Sequence, residues 1–425
     1  MKHETFEHDE AAHWAASSVP EHLSARSIKE PWVGALLVVV AALPLIYPPL
    51  AWALVPAFAA ILALRVGALI PWQDVPVPEP ERWPSLTILL PVYREPSVIA
   101  ELARAMRALD YPSPEIVLLV EEDDHETRSA LDFWPYRVLV VPDGKPRTKP
   151  RAVNYGLLHT RGEVVVIFDA EDRPAPDQPK RAVARLLTDP DCAVVQAVLA
   201  CDHDGPVIAR LWALEYAVLF RGVLPLLDKL GLPFLLGGTS QYLRRDALME
   251  VRAFDAHNVT EDADLSLRLA RNYTFHTVLS ETGEEAPVTV MAWVKQRSRW
   301  IKGFCQTTLV HWRDDLPLKA CIAFAIQLPV QLLTVASHPI GLAVMISNPE
   351  GPLAAMLFGG YALTVATFIV AAVRTGRRVT DALLLPAYCC LHVVALGIAV
   401  VELIVAPSLW RKTAHGLTHR PAARV

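Results

Sequence analysis

The sequence predicts an α/β domain, with a mostly parallel sheet and helices on both faces, inserted between transmembrane helices. Strand patterns and helical patterns alternate between residues 86 and 168, which is typical of a parallel sheet with helical crossovers. The polar residues 75–317 lie between two apolar stretches, 31–72 and 318–406, each long enough to enter a bilayer. The composition agrees with a mixed architecture, because 53% of the residues are hydrophobic and the mean hydropathy is +0.30.

The strands and helices of the domain are predicted from periodicity and length. Short apolar runs that read as buried strands lie at 86–90, 116–120, 136–141 and 163–168. Helical spacing follows the first run at 97–109 and precedes the fourth at 149–159. Each strand is therefore expected to be parallel to its neighbours, because the connections are long enough to cross over the sheet.

Charge and proline positions divide the rest of the chain. Residues 31–72 carry one charge, Arg65, and break at Tyr47-Pro48-Pro49, which favours a transmembrane hairpin. The chain is predicted to begin with a polar N-terminal tail at 1–30, which is mobile or interfacial, followed by the hairpin at 31–72. A soluble domain follows at 75–317 and includes interfacial helices at about 206–230 and 288–311. A C-terminal transmembrane region at 318–406 and a polar tail at 407–425 complete the predicted order.

The number of C-terminal spans is left open by the sequence. Candidate spans lie at about 319–346, 352–373 and 383–406, and basic residues follow the second at 374–378 and the third at 411–412. Both basic clusters are typical of the cytoplasmic side, yet one span between them would separate them. Either the tail breaks this rule, or Pro386 divides the last stretch into re-entrant or interfacial pieces.

Composition excludes several classes of protein. A net charge of -5 and a pI near 6.3 disfavour nucleic-acid binding. The six cysteines form no C-x-x-C pair, which disfavours a disulfide framework or a structural zinc site.

Polar side chains follow the predicted strands where each strand ends. Tyr93 and Glu95 follow the first strand, Glu121–Asp124 the second and Asp169 the fourth. In open α/β sheets, ligands bind outside the carboxyl ends of the strands. These residues therefore predict a ligand-binding cleft at one edge of the sheet.

The acidic turn Asp169-Ala170-Glu171 predicts a metal site within that cleft. Carboxylates at i and i+2 beyond a strand can both face a hard cation such as Mg²⁺ or Mn²⁺, which would neutralise a diphosphate leaving group. Lys149 begins the helix that precedes the fourth strand, and Asn154 lies further along the same helix. A cation at this position could offset the charge of a phosphate, so Lys149 is expected to contact the substrate directly. The alternative for Lys149 is a solvated lysine at a helix start.

Two motifs later in the chain have a structural alternative each. Thr260-Glu261-Asp262 begins a helix, where it could supply a general base or simply an N-cap. Gln296, Arg299 and Trp300 share one helix face and could bind a diphosphate and the apolar face of a sugar. The alternative for that helix is an interfacial position, with arginine and tryptophan at the level of the lipid headgroups.

Taken in order, these four motifs resemble those of the membrane-bound processive branch of glycosyltransferase family 2, which has a GT-A catalytic domain. Cellulose synthase, chitin synthase and hyaluronan synthase belong to this branch. The resemblance covers about residues 84–312. Two departures are that Glu121–Asp124 replaces the usual Asp-Asp-Gly and that the D-x-D motif reads Asp-Ala-Glu.

The resemblance implies a role for each matching residue. It assigns the base and ribose to Tyr93, Glu95, Glu121, Glu122, Asp123 and Asp124, and the diphosphate side to Lys149. It assigns the metal and the diphosphate to Asp169 and Glu171, the general base to Asp262 with Glu261 beside it, and an acceptor and diphosphate clamp to Gln296, Arg299 and Trp300. Asn154, on the same helix as Lys149, is a further candidate for substrate binding.

The function expected from this resemblance is that of an inverting glycosyltransferase in the inner (plasma) membrane, multi-pass, with its catalytic domain in the cytoplasm. It would transfer a sugar from a nucleotide-sugar donor, UDP-linked, to a growing β-linked polysaccharide that the same chain or accessory subunits export. The alternative within the enzyme class is single transfer to a lipid acceptor. A non-catalytic membrane scaffold is disfavoured, because a scaffold has no need for four charged motifs at cleft positions.

Overall fold

The computed structural model describes residues 8–28, 52, 55–203, 205–312, 314–407 and 409, and its centre is one mixed sheet. The strand order across the sheet is β3-β2-β1-β4-β7-β6-β8-β5. The strands are β1 Leu86–Val92, β2 Glu115–Glu121, β3 Arg137–Val141, β4 Val164–Ile167, β5 Arg173–Pro174, β6 Cys192–Cys201, β7 Gln241–Arg244 and β8 Thr274–Glu284.

The predicted parallel part of the sheet is confirmed. β1 pairs in parallel with β2 on one side and β4 on the other, and β3 extends the parallel set beyond β2. Successive residues of β1 enter opposite cores: Leu89 packs into one hydrophobic cluster, and Ile88 and Leu90 pack into the other. Both faces are therefore covered, which explains why the strands are continuous apolar runs.

The second half of the sheet is not parallel throughout, so the sheet as a whole is mixed. β7 runs antiparallel to β4 and to β6, while β6 and β8 are parallel to each other. This half carries the turn before β7 and the long strand β8 to the same cleft as the ends of β1, β2 and β4.

Helices cover both faces of the sheet and continue into an apolar C-terminal region. They are α1 His8–Ser17, α2 Val55–Arg65, α3 Ile99–Arg107, α4 His125–Ser129, α5 Lys149–Leu158, α6 Gln178–Leu187, α7 Val207–Val218, α8 Leu224–Lys229, α9 Arg245–Glu250, α10 Glu261–Leu269, α11 Val290–His311, α12 Leu318–Ala325, α13 Gln331–Ser347, α14 Pro352–Arg374 and α15 Leu385–Val405. π-helical segments join α7 to α8 at Leu219–Val223 and α12 to α13 at Ile326–Val330.

A buried charged network holds α10 against α11. His311 Nε2 lies 2.8 Å from Asp264 Oδ1, and Arg268 Nη2 lies 2.7 Å from the other oxygen of the same carboxylate. Burial alone would lower the pKa of His311, but its contacts with Asp264 and Asp314 outweigh burial and raise it. These contacts favour the charged imidazole, and the network fixes the first turn of α10 relative to α11.

The N-terminal segment 8–28 is docked on the domain, which corrects the expectation of a mobile or interfacial tail. Asn154 in α5 is fully buried beneath it, and its Nδ2 donates to Ala15 O at 3.0 Å and Phe254 O at 2.8 Å. Ser24 Oγ donates to Asp255 Oδ1 at 2.8 Å. The segment therefore packs on α5 and on the loop that leads to Thr260.

Three helical stretches within the described residues are long and apolar enough to cross a membrane. They are Leu318–Ser347, Pro352–Arg374 and Val379–Val405. α2 and the turn after it form a shorter apolar helix, Val55–Leu69. Most of the predicted hairpin at 31–72, including its first helix and the Tyr47-Pro48-Pro49 break, lies outside the described residues.

Both ends of α15 contact the domain. At its start, Tyr388 OH accepts a hydrogen bond from Trp293 Nε1 of α11 at 2.9 Å. Beyond its end, Lys302 Nζ donates to Leu409 O at 2.6 Å, and Gln306 Nε2 donates to Pro407 O at 2.9 Å. The last candidate span therefore lies alongside the domain helix α11.

The docked N-terminal segment predicts a stability cost for Asn154→Ala. The substitution leaves buried backbone groups of Ala15 and Phe254 unpaired, so we expect the free energy of unfolding to fall by about 1–3 kcal/mol. The measurements are the melting temperature in detergent and the rate of proteolysis within residues 8–28. Asn272→Ala is the control, because the Asn272 amide meets only the exposed Glu250. Lower nucleotide affinity at an unchanged melting temperature would instead favour the substrate contact predicted from the sequence.

Candidate active site

A cavity of about 550 Å³ connects the strand ends of the sheet with the apolar helices. At one end it is bordered by the loops after β1 and β4, and at the other by Ile61, Leu64, Leu332 and Val335 of α2 and α13. Most of the predicted site residues line it: Tyr93, Glu95, Glu121, Lys149, Asp169, Glu171, Glu261, Asp262, Gln296, Arg299 and Trp300.

The acidic loop after β4 is shaped by a residue that is not itself on the cavity. Asp172 is buried, and its Oδ2 accepts the backbone N–H of Asp169 at 2.7 Å and the hydroxyl of Thr239. This closes a tight turn, so that Asp169 and Glu171 both face the cavity. The carboxylates at i and i+2 therefore share one cavity, while their metal role stays a prediction.

Lys149 lies beneath Asp169 at the first turn of α5. Its Nζ forms an ion pair with the Asp169 carboxylate and donates to Gly238 O at 2.9 Å. Burial disfavours the ammonium, but Asp169 and Glu261 outweigh burial and raise the pKa of Lys149. A charged lysine is therefore held in the cavity wall, rather than in solvent.

Glu261 and Asp262 occupy the first turn of α10 and face the cavity. Thr260 is the N-cap residue, but its side chain makes no capping hydrogen bond, so the capping alternative lacks its defining contact. Gly238 lies opposite, with φ +83, and a Cβ there would come within 3.1 Å of Asp262 Oδ2. The Gly237-Gly238 turn therefore needs glycine both for its backbone conformation and for the space beside the carboxylate.

Burial places the two acids in an unusual electrostatic setting. Burial and then the charge of Asp262 raise the pKa of Glu261 to about 7. Burial also raises the pKa of Asp262, while Lys149 and Arg299 oppose that shift. Arg299 in turn has a pKa lowered by its own burial. Such a pair of acids beside two cations is suited to proton transfer near neutral pH.

The helix α11 brings Gln296, Arg299 and Trp300 to the opposite wall. Gln296 is held by Trp212, whose Nε1 donates to Gln296 Oε1 at 3.2 Å. The Trp300 ring lies near Tyr216, with 6.3 Å between ring centroids and an interplanar angle of 30°. The common helix face predicted from the sequence is therefore directed into the cavity.

The acidic cluster 121–124 is divided by the structure. Glu121 lines the cavity and pairs with Arg151 at 3.1 Å, and burial raises its pKa. Asp124 is buried and caps α4 by accepting Thr127 N at 3.1 Å. Glu122 is not among the residues lining the cavity and accepts Asp143 N at 3.0 Å.

Two further predicted residues are placed off the cavity wall. Asp123 pairs with Arg147 at 2.7 Å, behind Tyr93. Asn154 is buried under the N-terminal segment, one turn further along α5 than Lys149. A helical spacing of five residues puts Asn154 on a different face from Lys149, which explains why the two do not meet.

Glu284 and Glu285 also line the cavity, although no sequence motif predicted them. They stand at the end of β8, so the rule that predicted the other acids applies to them as well. Burial and then Asp172, Glu171 and Asp169 raise the pKa of Glu284 well above its usual value. The strand before them alternates polar and apolar residues irregularly, and it was therefore not predicted.

The donor set of the acidic loop fits a divalent cation. Among the described residues, no group of three His, Cys, Asp or Glu side chains forms a complete metal shell. Mg²⁺ and similar cations are commonly held by one or two carboxylates together with substrate phosphates, which is what Asp169 and Glu171 can supply. The crowded carboxylates of this cavity also carry negative charge that a cation would offset.

The sheet with its strand-end acids defines a GT-A-type glycosyltransferase. A family model described as "Glycosyltransferase like family 2" matches residues 84–303, more than half of the 425-residue chain. The chain therefore belongs to glycosyltransferase family 2.

Curated relatives include two kinds of enzyme. The chain is 27% identical over 252 residues to a cellulose synthase catalytic subunit of Pseudomonas fluorescens, covering 56% of this chain and 33% of the relative. It is 26% identical over 250 residues to a beta-monoglucosyldiacylglycerol synthase of Trichormus variabilis, covering 56% and 52%. The aligned residues thus span about a third to a half of these relatives.

Among solved structures, the chain is similar to the mannosyltransferase PcManGT of Pyrobaculum calidifontis, described in complex with GDP-Man and Mn²⁺. The TM-score is 0.55 at 21% identity, covering 87% of this chain and 99% of that chain. At this identity the likeness shows the fold alone.

The position of Asp262 predicts the effect of Asp262→Asn. Loss of a general base should lower turnover by about 10²–10⁴-fold, while nucleotide affinity and the melting temperature stay near wild type. Because a base must be ionised and burial raises the pKa of Asp262, wild-type turnover should fall on acidification at a higher pH than an exposed aspartate (pKa about 3.9) would give.

The measurements for Asp262→Asn are turnover, nucleotide affinity and melting temperature on one preparation. Glu261→Gln is the paired variant, since it removes the neighbouring acid. Near-normal turnover of Asp262→Asn together with inactive Glu261→Gln would transfer the base assignment to Glu261.

Proposed function

We propose that the protein is an integral membrane, inverting glycosyltransferase that transfers a sugar from a UDP-sugar to a growing β-linked polysaccharide. One observation carries this proposal: a single cavity joins the strand-end carboxylates to the apolar helices. A donor can enter from the soluble side of such a cavity, and an acceptor can enter from the membrane side.

In this proposal the donor lies along the ends of β1, β2 and β4. Tyr93, Glu95 and Glu121 surround the base and ribose, and Lys149 faces the diphosphate. Asp169 and Glu171 would hold Mg²⁺ or Mn²⁺, and the cation would supply charge neutralisation for the departing diphosphate. The described fold likeness to a GT-A enzyme is consistent with this orientation of the sheet edge.

The chemical step assigned to this chain is proton removal from the acceptor hydroxyl. Asp262 takes the proton as the hydroxyl oxygen attacks the anomeric carbon from the face opposite the diphosphate, which inverts the configuration. Lys149 and Arg299 lie close enough to Asp262 to oppose the rise in its pKa, so both cations can also stabilise charge that develops on the diphosphate.

The aromatic lining of the cavity favours a carbohydrate acceptor. Tyr216, Phe220, Trp300 and Phe304 line the cavity. Flat aromatic rings match the apolar faces of pyranose rings, and cellulose synthase is named among the relatives. Export of the product by this chain or by accessory subunits would extend the same path.

Transfer to a lipid acceptor is the second candidate. The membrane end of the cavity is lined by Ile61, Leu64, Leu332 and Val335, which suit an acyl chain better than a sugar. A beta-monoglucosyldiacylglycerol synthase is also among the relatives.

For the membrane, we propose that only α12–α13 and α14 cross it after the domain, with the domain and both ends of α15 in the cytoplasm. By length alone α15 could cross the bilayer core, since its 21 residues span about 31 Å. Its contacts with the domain favour a different position. Because its start contacts Trp293 and its end reaches Lys302, it follows α11 along the domain. Both basic clusters then lie on one side, as the charge rule requires.

Product analysis of purified protein tests the proposed reaction. With UDP-glucose, UDP-N-acetylglucosamine and GDP-mannose offered separately, we expect one UDP-sugar to be converted into a β-linked polymer. Activity should disappear in EDTA and return with Mg²⁺ or Mn²⁺, and Asp169→Asn should be folded but nearly inactive.

Each other result has a defined meaning. A glycolipid product would select the second candidate, and consumption of no donor would refute the proposed activity. Full activity in EDTA would refute the metal assignment while leaving the reaction intact.

Cysteine labelling tests the proposed topology. Single cysteines replace Glu350, Arg378 or Leu409 in a cysteine-free background that still binds UDP. In spheroplasts treated with a membrane-impermeant maleimide, we expect Glu350→Cys to react at once, and Arg378→Cys and Leu409→Cys to react only after lysis. Immediate reaction of Leu409→Cys would mean that α15 crosses the membrane.

A further inference from the structure

A polar cluster lies on the cavity beside Trp300 and is formed by residues to which no role has been assigned above. Its members are Glu215 of α7, Arg297 of α11, and Tyr388 and His392 of α15. Glu215 Oε2 accepts from Arg297 Nη2 at 2.7 Å and from the Tyr388 hydroxyl, and Glu215 Oε1 lies 3.5 Å from His392 Nε2. Glu215, Arg297 and His392 line the cavity.

The charge state of this cluster is set by its contacts. Burial would raise the pKa of Glu215, but the charge of Arg297 and then His392 and Tyr388 outweigh burial and lower it to about 2. Only 8% of the Arg297 surface is exposed, so its guanidinium has little access to water. A buried ion pair of this kind is costly to break, because either partner alone would be an uncompensated charge.

Arg297 also contacts the predicted acceptor platform. Its guanidinium carbon lies 4.3 Å from the centroid of the Trp300 ring, and 5.5 Å from that of Trp293. A cation at this distance over an indole face is attracted by the ring quadrupole. Arg297 therefore lies over the Trp300 ring, and Trp300 itself lines the cavity.

We propose that Glu215 and Arg297 are positioning residues for acceptor transfer: Glu215 orients Arg297 through the ion pair, and Arg297 holds the Trp300 ring in the orientation that receives the acceptor. Tyr388 and His392 of α15 complete the support through their contacts with Glu215. The proposal rests on the proposed function, in which Trp300 contacts the acceptor. Neither Glu215 nor Arg297 belongs to the Gln-x-x-Arg-Trp set itself.

The first test measures the Trp300 ring directly and needs no activity. Hydroxyl-radical footprinting with mass spectrometry reports the oxidation rate of each tryptophan in purified protein. In Glu215→Gln, Arg297 loses the carboxylate that orients it over the Trp300 ring. We therefore expect Trp300 to be oxidised at least about threefold faster, because the guanidinium no longer shields the ring. Trp134, which is 9% exposed and lies in the other hydrophobic cluster, serves as the internal reference.

A second variant protects the test against misfolding. Arg297→Lys retains a cation for Glu215 but loses the planar guanidinium that covers the ring, and it should raise Trp300 oxidation in the same direction. Asp381→Asn is the matched control. Asp381, in the segment before α15, forms a comparable ion pair with Arg210 of α7 at 2.7 Å. This pair also joins α7 to the C-terminal part of the chain, but it does not contact Trp300.

The second test uses kinetics with UDP-glucose as donor and cellotetraose as acceptor. For Glu215→Gln we expect the acceptor KM to rise about tenfold, with UDP affinity within about twofold of wild type, as for loss of an interaction worth about 1.4 kcal/mol. In a Trp300→Ala background the same substitution should change the acceptor KM by less than about twofold, since the side chain being positioned is already gone.

The outcomes separate positioning from a general structural role. Unchanged Trp300 oxidation in folded Glu215→Gln and Arg297→Lys would overturn the proposal, as would an equal rise in Asp381→Asn. Additive kinetic effects of Glu215→Gln and Trp300→Ala would also overturn it. If wild-type protein transfers no sugar from any donor, the proposed function has failed, while the oxidation rates still decide whether Glu215 and Arg297 hold Trp300.

Discussion

The crowding of carboxylates in one buried cavity is the constraint on which this structure depends. Asp169, Glu171, Glu261, Asp262 and Glu284 line the same space, and their mutual repulsion and desolvation raise the pKa of several of them. Only a few fixed cations, Lys149 and Arg299 foremost, offset this charge. A cation, or a ligand that donates hydrogen bonds, would reduce the repulsion among these carboxylates, and this agrees with the proposed metal–diphosphate donor.

The helix α11 connects this charged site with the apolar part of the chain. One end is fixed to α10 through His311 and Asp264, its middle presents Trp300 to the cavity, and Trp293 and Lys302 bind α15. The hydrophobic core of the domain continues without a break into the apolar helices. The cavity wall and the apolar helices are therefore one packed unit, and a shift of α15 would be transmitted through α11 to the cavity.

Much of the fold and about three quarters of the candidate site could be predicted, for a local physical reason. A strand buried on both faces must be a short apolar run, and a parallel sheet places polar residues at its carboxyl edge. β1, β2, β3 and β4 obeyed these rules, and Tyr93, Asp169 and Asp262 met in one cavity as expected. The irregular strand β8 broke the pattern, so that Glu284 was missed.

By itself, the sequence determined the parallel half of the sheet, the acids at its edge, the shared face of α11 and the three apolar stretches after the domain. Only the tertiary structure decided which polar groups meet across long separations. It buried Asn154 under the N-terminal segment, joined Glu215 to Arg297 and Tyr388, and laid α15 along α11. Local periodicity reports whether a residue faces a core, but the partner of a buried polar group depends on which elements pack together, and no local pattern contains that information.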